Sequence, residues 1–394
     1  MEVLNKEENG GGSAIYLDSK YALIKQIGEG GFGGIFLASN VQEKKYCAIK
    51  LNRMEETEEI ESEIQLMNTF DHPNVLSISD YSIKKGVLQH SNDGVVSETV
   101  SYMVMPFAAY GDLATYLRGD SYFEEDIAAY WFQQMFYGLK HIHEKGYVHL
   151  DIKPDNILIS KEMQIKVADF GLSQPLKGED EKGTFNKRRC GTKTFWSPEI
   201  ALGFEYNGAQ ADYYALAIIL FIMIFGCRPF REIKMDDPLF MKLLKEPLGF
   251  WMAHPITKNR IKNRSVSEEV VDLLARMLVV NPEERITKDE IAQHPWVTKF
   301  NKDIYQENDY EEFSFAPEIL DEDDDSDYVI NEEEEDMAWS MRSSMSEDES
   351  LKTETDKSQN EEDIDDLLQL RLLPKKSFIE KVQQALKSIK ANRK

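Results

Sequence analysis

The sequence predicts an α+β protein in two lobes, a small β-rich one followed by a larger helical one. Three observations carry that expectation. Between residues 19 and 107 short runs of β-formers dominate: YALIKQIG, GIFLAS, KKYCAIKLNR, VLSISDYSI and VSYMVMPF. From 108 to 300 apolar residues recur at the 3.6-residue helical period instead. Outside those limits the composition changes, to a polar, glycine-rich leader over 1–18 and an acidic tract after Phe300.

The leader, MEVLNKEENGGGS, lacks the apolar core of a signal peptide and the glycine needed for myristoylation, and reads as flexible. One helical stretch is expected inside the first lobe, near 54–70, where Ile60, Ile64 and Met67 share a face. In the second lobe DIAAYWFQQMFYGLKHIHEK sets Ile127, Trp131, Met135 and Leu139 on one face. The most apolar run, YYALAIILFIMIFGC from Tyr213 to Cys227, falls short of the roughly 20 residues a bilayer demands, so it reads as a buried helix. Two lobes of this kind leave a cleft between them, where small ligands tend to bind.

The net charge of −25 is concentrated in one segment. Residues 303–366 carry 27 acidic against 3 basic side chains, or −24. Such a tract cannot bury enough apolar surface to fold alone, so 301–366 is expected to be a disordered linker. The remainder is near neutral, which excludes a basic nucleic-acid footprint on the globular part. Residues 367–394 then turn basic, with eight Lys or Arg against Glu380, and Phe378, Val382, Ala385, Leu386 and Ile389 fall on one face of an amphipathic helix. A helix of that type fits a calmodulin-like partner, an acidic membrane surface or an autoregulatory contact through 371–394. Cys47, Cys190 and Cys227 are widely spaced, with neither a disulfide framework nor a zinc pattern, and point to a reducing cytoplasmic or nuclear location.

Chemistry enters at "IGEGGFGGI", residues 27–35, which contains Gly28-x-Gly30-x-x-Gly33. A dinucleotide-binding fold needs a helix directly after such glycines. Here the sequel is strand-like with a turn around Ser39–Asn40, so the glycines belong to a strand-turn-strand whose backbone N–H groups can approach phosphates. The next strand ends in "CAIK" at Lys50, and Glu63 on the following helix is placed to steady its flexible stem. "VHLDIKPDN", 148–156, crowds Asp151, Lys153, Asp155 and Asn156 beside His149. "KVADFGLS" adds Asp169. Asn156 and Asp169 are oxygen ligands suited to Mg²⁺ on phosphates. Asp151 can take a proton from a hydroxyl, and Lys153 can offset charge on a moving phosphoryl group.

In order, these motifs and Ser197-Pro-Glu199 resemble the signature set of eukaryotic-type protein kinases, over about 19–300. The resemblance implies a bilobal protein kinase fold, ATP and Mg²⁺ as cofactors, and transfer to protein substrates. It assigns Ile27, Gly28, Gly30, Gly33, Ile35, Ala48, Lys50 and Glu63 to the nucleotide, together with Met105 as gatekeeper, the hinge residues Phe107 and Ala108, and Asp112 towards the ribose. It assigns catalysis to Asp151, Lys153 and Thr192 and metal binding to Asn156 and Asp169. Asp212 resembles the buried carboxylate that anchors the catalytic loop, and Arg285 the partner of Glu199. Lys153 and Thr192 look like the serine/threonine branch, while "GCRPF" and "HPWV" resemble the calcium/calmodulin-dependent group.

Leu150 departs from the pattern, standing where an arginine normally receives an activation-loop phosphate. Leucine cannot do so, and activity without such phosphorylation is expected, although "NKRRC" at 186–190 is basic. Ser197, Tyr214 and Ala217 are smaller departures, read as packing changes. Lys50, Asp151 and Asp169 are all present, which favours an active enzyme over a kinase-shaped scaffold acting through its tail. Asp112 and Asp155 would favour a basic residue upstream of the target hydroxyl.

Overall fold

The computed structural model describes residues 15–30, 33–52, 57–90, 98–119, 122–176, 184–185, 189–304, 377 and 379–384. The β-rich runs become β1 (Ile15–Leu17), β2 (Tyr21–Gly30), β3 (Gly33–Asn40), β4 (Lys45–Asn52), β5 (Asp80–His90) and β6 (Glu98–Pro106), with α1 (Thr57–Met67) before β5. They pair antiparallel in the order β1-β2-β3-β4-β6-β5, and β1 also pairs with β5 to close a barrel. Alternate residues point inward, as the period of a strand requires. Leu17, Phe36, Ile49, Leu51, Val100 and Val104 make its core. On α1, Ile60, Ile64 and Met67 are buried together, as their spacing predicts.

Two sequence expectations need correction in this unit. The leader was expected to be flexible through residue 18, but Ile15–Leu17 is a strand and Leu17 is fully buried. The turn after it has positive φ at Asp18 (52°) and Ser19 (53°), the backbone that tight hairpins need. Asp18 fixes it, accepting from the Val87 N–H at 2.7 Å and the Tyr102 hydroxyl at 2.7 Å. The second correction concerns the turn around Ser39–Asn40. Strand β3 runs through Asn40, whose side-chain oxygen accepts from Gln42 N (3.0 Å) and Glu43 N (3.1 Å) and so sets the turn one step later.

Described residues up to Ala108, together with Ala168–Gly171, form one compact unit. The other takes Ala109–Val167 and the described residues from Leu172 onward. Inside it lie α2 (Glu125–Glu144), β7 (Tyr147–Val148), β8 (Ile157–Ile159), β9 (Ile165–Val167), β10 (Gln174–Pro175), β11 (Thr184–Phe185), α3 (Pro198–Leu202), β12 (Tyr206–Asn207) and α4 (Gly208–Phe225). After these come α5 (Pro238–Lys245), α6 (Pro247–Ala253), α7 (Pro255–Lys262), α8 (Glu268–Met277), α9 (Lys288–Gln293) and α10 (Pro295–Ile304). Ile127, Trp131, Met135 and Leu139 of α2 are all fully buried. Helix α4 is apolar all round because it runs through the core; it is long and apolar enough to cross a membrane, yet 89% of it is buried inside the protein.

The acidic tract beyond Ile304 lies outside the described residues. In the basic segment, residues 377 and 379–384 are helical, Val382 is fully buried, and Gln383 Nε2 donates to Glu124 Oε2 at 3.1 Å. Phe378, Ala385, Leu386 and Ile389, expected on the same face, lie outside the described side chains.

A buried ion pair ties α3 to the loop before α9. Both terminal nitrogens of Arg285 donate to the two oxygens of Glu199 at 2.8 Å, and Arg285 Nε donates to Val279 O at 2.9 Å. Its guanidinium also lies over the Tyr214 ring, 4.7 Å from the centroid. Removing one partner strands the other charge in the interior, so Arg285→Ala should lose about 3–5 kcal/mol of stability. Urea unfolding monitored by far-UV circular dichroism measures this, and a loss well under about 1 kcal/mol would show that water replaces the pair freely.

Candidate active site

In the β-rich unit the glycine segment is a hairpin in which Gly28 faces Ile35, Glu29 faces Gly34 and Gly30 faces Gly33. The register slips between Gln26 and Gly28, a bulge that re-aims the strand just before the loop. A Cβ on Gly28 would meet only Ile35 side-chain carbons, at 3.6 and 3.7 Å, an ordinary contact. A Cβ on Gly34 would lie 2.7 Å from the buried Phe36 ring, so Gly34 is the position where close packing demands glycine. The three-glycine pattern does not include it, and nothing in the sequence separates it from the neighbouring glycines.

Strand pairing aligns several expected nucleotide residues. Ile35 sits opposite Lys50, and Ala48 opposite Met105. Lys50 Nζ meets Glu63 Oε2 at 2.6 Å, with the two side chains only 13% and 8% exposed. Ile27 and Phe107 are half-buried, and Ala108 is buried. Asp169 has a φ of +65°, a conformation that costs a non-glycine residue energy and tends to persist where function requires it. Beside it Phe170 is buried, its ring 5.1 Å from that of Phe70 at the end of α1.

In the helical unit one carboxylate organises the loop that follows β7. Asp212, at the start of α4 and fully buried, accepts from the backbone N–H groups of His149 and Leu150, both at 2.8 Å. It also lies 2.8 Å from His143 Nε2. Leu150 has a φ of +65°, and these bonds hold that strained residue in place. The next residue, Asp151, is buried and receives four donors. Thr192 N and Oγ1 each donate to Oδ1 at 2.8 Å, while Lys153 Nζ at 2.8 Å and Asn156 Nδ2 at 3.2 Å engage Oδ2. Lys153 also donates to Thr192 Oγ1 at 3.1 Å, and Asn156 Nδ2 to Asp151 O at 2.9 Å.

Burial works against ionising Asp151, but the hydrogen bonds of Lys153 and Thr192 outweigh it and hold the carboxyl below its usual range. The group is therefore an ionised acceptor. Because the Asn156 amide nitrogen is spent on Asp151, its Oδ1 remains as a neutral oxygen ligand. Among the described residues no cluster of three or more His, Cys, Asp or Glu could hold a metal alone. A hard cation at Asn156 or Asp169 would thus complete its shell with phosphate and water oxygens, as Mg²⁺ characteristically does. Asp112 accepts from Thr115 N (2.8 Å) and Oγ1 (2.9 Å), so it caps the short turn Leu113–Tyr116 besides any contact with ligand.

Gly191 completes the constellation, and sequence reasoning missed it. Its φ is +79°, and a Cβ there would fall 2.2 Å from Leu150 O. Only glycine lets the chain pass that close and bring Thr192 onto Asp151. Leu150 packs with Val148, Ile200, Tyr206 and Ala211, and Cys190 and Trp196 pack against the same cluster. The position where a phosphate-binding arginine would stand is an apolar joint instead.

Residues 21–297 match the family model for the protein kinase domain. Sperm motility kinase 2B of Mus musculus is 30% identical over 284 residues, 71% of this chain and 52% of that protein. Serine/threonine-protein kinase cds1 of Schizosaccharomyces pombe is 30% identical over 294 residues, 71% of this chain and 58% of that protein. Serine/threonine protein kinase OSK3 of Oryza sativa is 32% identical over 293 residues, 73% and 52% respectively. The chain spans about half the length of these curated relatives. With a match running from β2 into α10 and the bilobal α+β architecture to go with it, the chain belongs to the protein kinase domain family.

Proposed function

We propose that this chain is a serine/threonine protein kinase, transferring the γ-phosphoryl group of ATP to protein hydroxyls. The observation that carries this reading is the ionised Asp151 carboxylate, fixed by Thr192, Lys153 and Asn156 on a loop pinned by Asp212. Asp151 takes the proton of the acceptor hydroxyl as its oxygen bonds to the γ-phosphorus and the bridging bond to ADP breaks. Lys153 sets positive charge beside the reacting oxygen. Lys50, steadied by Glu63, offers an ammonium to the nucleotide phosphates. Asn156 and Asp169 would hold Mg²⁺, which would supply neutralisation of the phosphate charge. The relatives' names support the serine/threonine branch, and "GCRPF" with "HPWV" supports kinship with the calcium/calmodulin-dependent group. A scaffold without catalysis is the rival, disfavoured because the sequence keeps Lys50, Asp151 and Asp169. Free thiols at Cys47, Cys190 and Cys227 support a reducing, cytoplasmic or nuclear location.

We also propose that activity needs no activation-loop phosphate. The support is Leu150, whose side chain joins the activation segment to α3 through Cys190, Trp196 and Ile200 by apolar contact. Strand β11 adds to this, since Thr184 pairs with Asn207. The basic helix at the C-terminus is proposed as an autoregulatory strap or calmodulin-type target, supported by the burial of Val382 and the Gln383–Glu124 bond. Glu124 immediately precedes α2, a 20-residue helix about 30 Å long. The opposite end of α2 leads to the catalytic loop, so the described part of this helix meets α2 at the end remote from Asp151. Deleting 367–394 should alter specific activity or abolish retention on calcium-loaded calmodulin; if neither changes, the strap has no regulatory role.

Radiolabel transfer from Mg·ATP to a generic protein substrate tests the activity. Asp151→Asn should lower kcat by about 10²- to 10⁴-fold, the range expected for removing a general base. Equal labelling by wild type and variant would sink the kinase reading. Since the Asp151 carboxyl is held below its ordinary value, its ionised form is lost only as pH falls through that lowered value. The profile of kcat/KM should accordingly stay level from pH 8 to about 5, and Lys153→Met should shift its acid limb upward. Phosphatase-treated wild type and Thr184→Ala should both keep their activity, and a matching loss in the two would restore the need for a loop phosphate.

A further inference from the structure

We infer that Lys193, flanked by Arg189, makes this site select hydroxyls followed directly by a carboxylate, and that the chain's own acidic tract supplies such acceptors. The inference rests on the kinase reading above. Thr192 is bonded twice to Asp151, so the residue after it is held next to the group that receives the proton. That residue is Lys193, exposed and forming no ion pair among the described residues. Arg189, two positions before Gly191, is exposed as well, and its Nη2 lies 3.3 Å from where a Gly203 Cβ would sit. Lys187 and Arg188 precede it in sequence. Glu232 is a nearby acid whose charge responds to Lys193, but it is already paired with Lys234. Among the described residues, then, neither Lys193 nor Arg189 has an ion-pair partner, and the Gly191–Lys193 segment carries positive charge beside Asp151.

A peptide bound extended advances about 3.3 Å per residue. The side chain that follows the acceptor thus comes within the reach of a lysine anchored one residue from Thr192. A carboxylate there gains a charge-assisted contact that a neutral side chain forgoes. The chain carries its own match. Within 303–366, where the net charge is −24, Ser326 precedes Asp327, Ser346 precedes Glu347, Thr353 precedes Glu354 and Thr355 precedes Asp356. Ser346 lies 42 positions after Ile304, a maximal contour of more than about 100 Å, ample for return to the same molecule's site. In the step itself the Ser346 Oγ bonds to the γ-phosphorus, the bridging P–O pair departs with ADP, and the hydroxyl proton passes to Asp151.

Two synthetic peptides differing only in Asp or Asn after a single serine test the selectivity, assayed with wild type, Lys193→Ala and Lys193→Glu. Wild type should favour Asp about twofold to fivefold in kcat/KM, as an exposed ion pair allows, with the difference carried by KM and shrinking at high salt. Lys193→Ala should erase the preference and Lys193→Glu should reverse it. Equal use of both peptides by wild type, or an unchanged preference in Lys193→Glu, overturns the inference. Tandem mass spectrometry of the full chain after incubation with Mg·ATP should find phosphate on Ser326, Ser346, Thr353 or Thr355, and none in Asp151→Asn. Phosphate confined to hydroxyls followed by neutral or basic residues would count against it. If wild type labels neither peptides nor tract, the kinase reading falls and takes this inference with it.

Discussion

A single buried carboxylate, that of Asp212, holds the catalytic loop in a shape the chain would otherwise avoid. Two successive backbone N–H groups, of His149 and Leu150, end on its two oxygens, and the His143 ring is its third neighbour. Leu150 is left-handed there, which costs a leucine roughly 1–2 kcal/mol, and charge-assisted hydrogen bonds in a dry interior are strong enough to offset that. Once Leu150 is turned, Asp151 faces Thr192, Lys153 and Asn156 together. The buried anchor fixes the backbone, and the backbone fixes the chemistry.

The same loop sets an apolar side chain, Leu150, directly before Asp151. An arginine beside the catalytic aspartate would itself be an unpaired cation until a phosphate arrived, and burying it would be costly. Leu150 has no such need. It joins Ile200 of α3 and Tyr206 of β12, while Cys190 and Trp196 of the activation segment pack onto the cluster. These apolar contacts contain no phosphate-binding cation, which is the support for the proposal that the segment needs no phosphate. Gly191 supplies the other half of the joint by letting the segment's backbone touch that of the loop.

Much of the site was legible in the sequence because phosphoryl-transfer chemistry demands particular side chains at short spacings. Lys50 with Glu63, Asp151 with Thr192, and Glu199 with Arg285 could each be named from motif order, and the structure brings each pair together. What could not be read were features set by backbone proximity. Gly34 and Gly191 look like any loop glycine until the Phe36 ring and the Leu150 carbonyl are seen beside them. The grouping of Ala168–Gly171 with the β-rich unit, far away in sequence, is likewise a consequence of tertiary packing. Strand β1 escaped notice because three apolar residues give too short a signal, and an Asp-Ser turn lacks the glycine that usually marks a hairpin.

That short strand changes the social behaviour of the whole molecule. Exposed sheet margins are templates on which foreign strands can polymerise, and most open sheets must disguise them with charge or bulges. Here Ile15, Tyr16 and Leu17 pair with Tyr21–Leu23 of β2 on one side and Leu88–His90 of β5 on the other, closing the barrel across those two margins. A proteolytic cut just past Leu17 would uncover two at once, turning a self-sealed cylinder into an adhesive one.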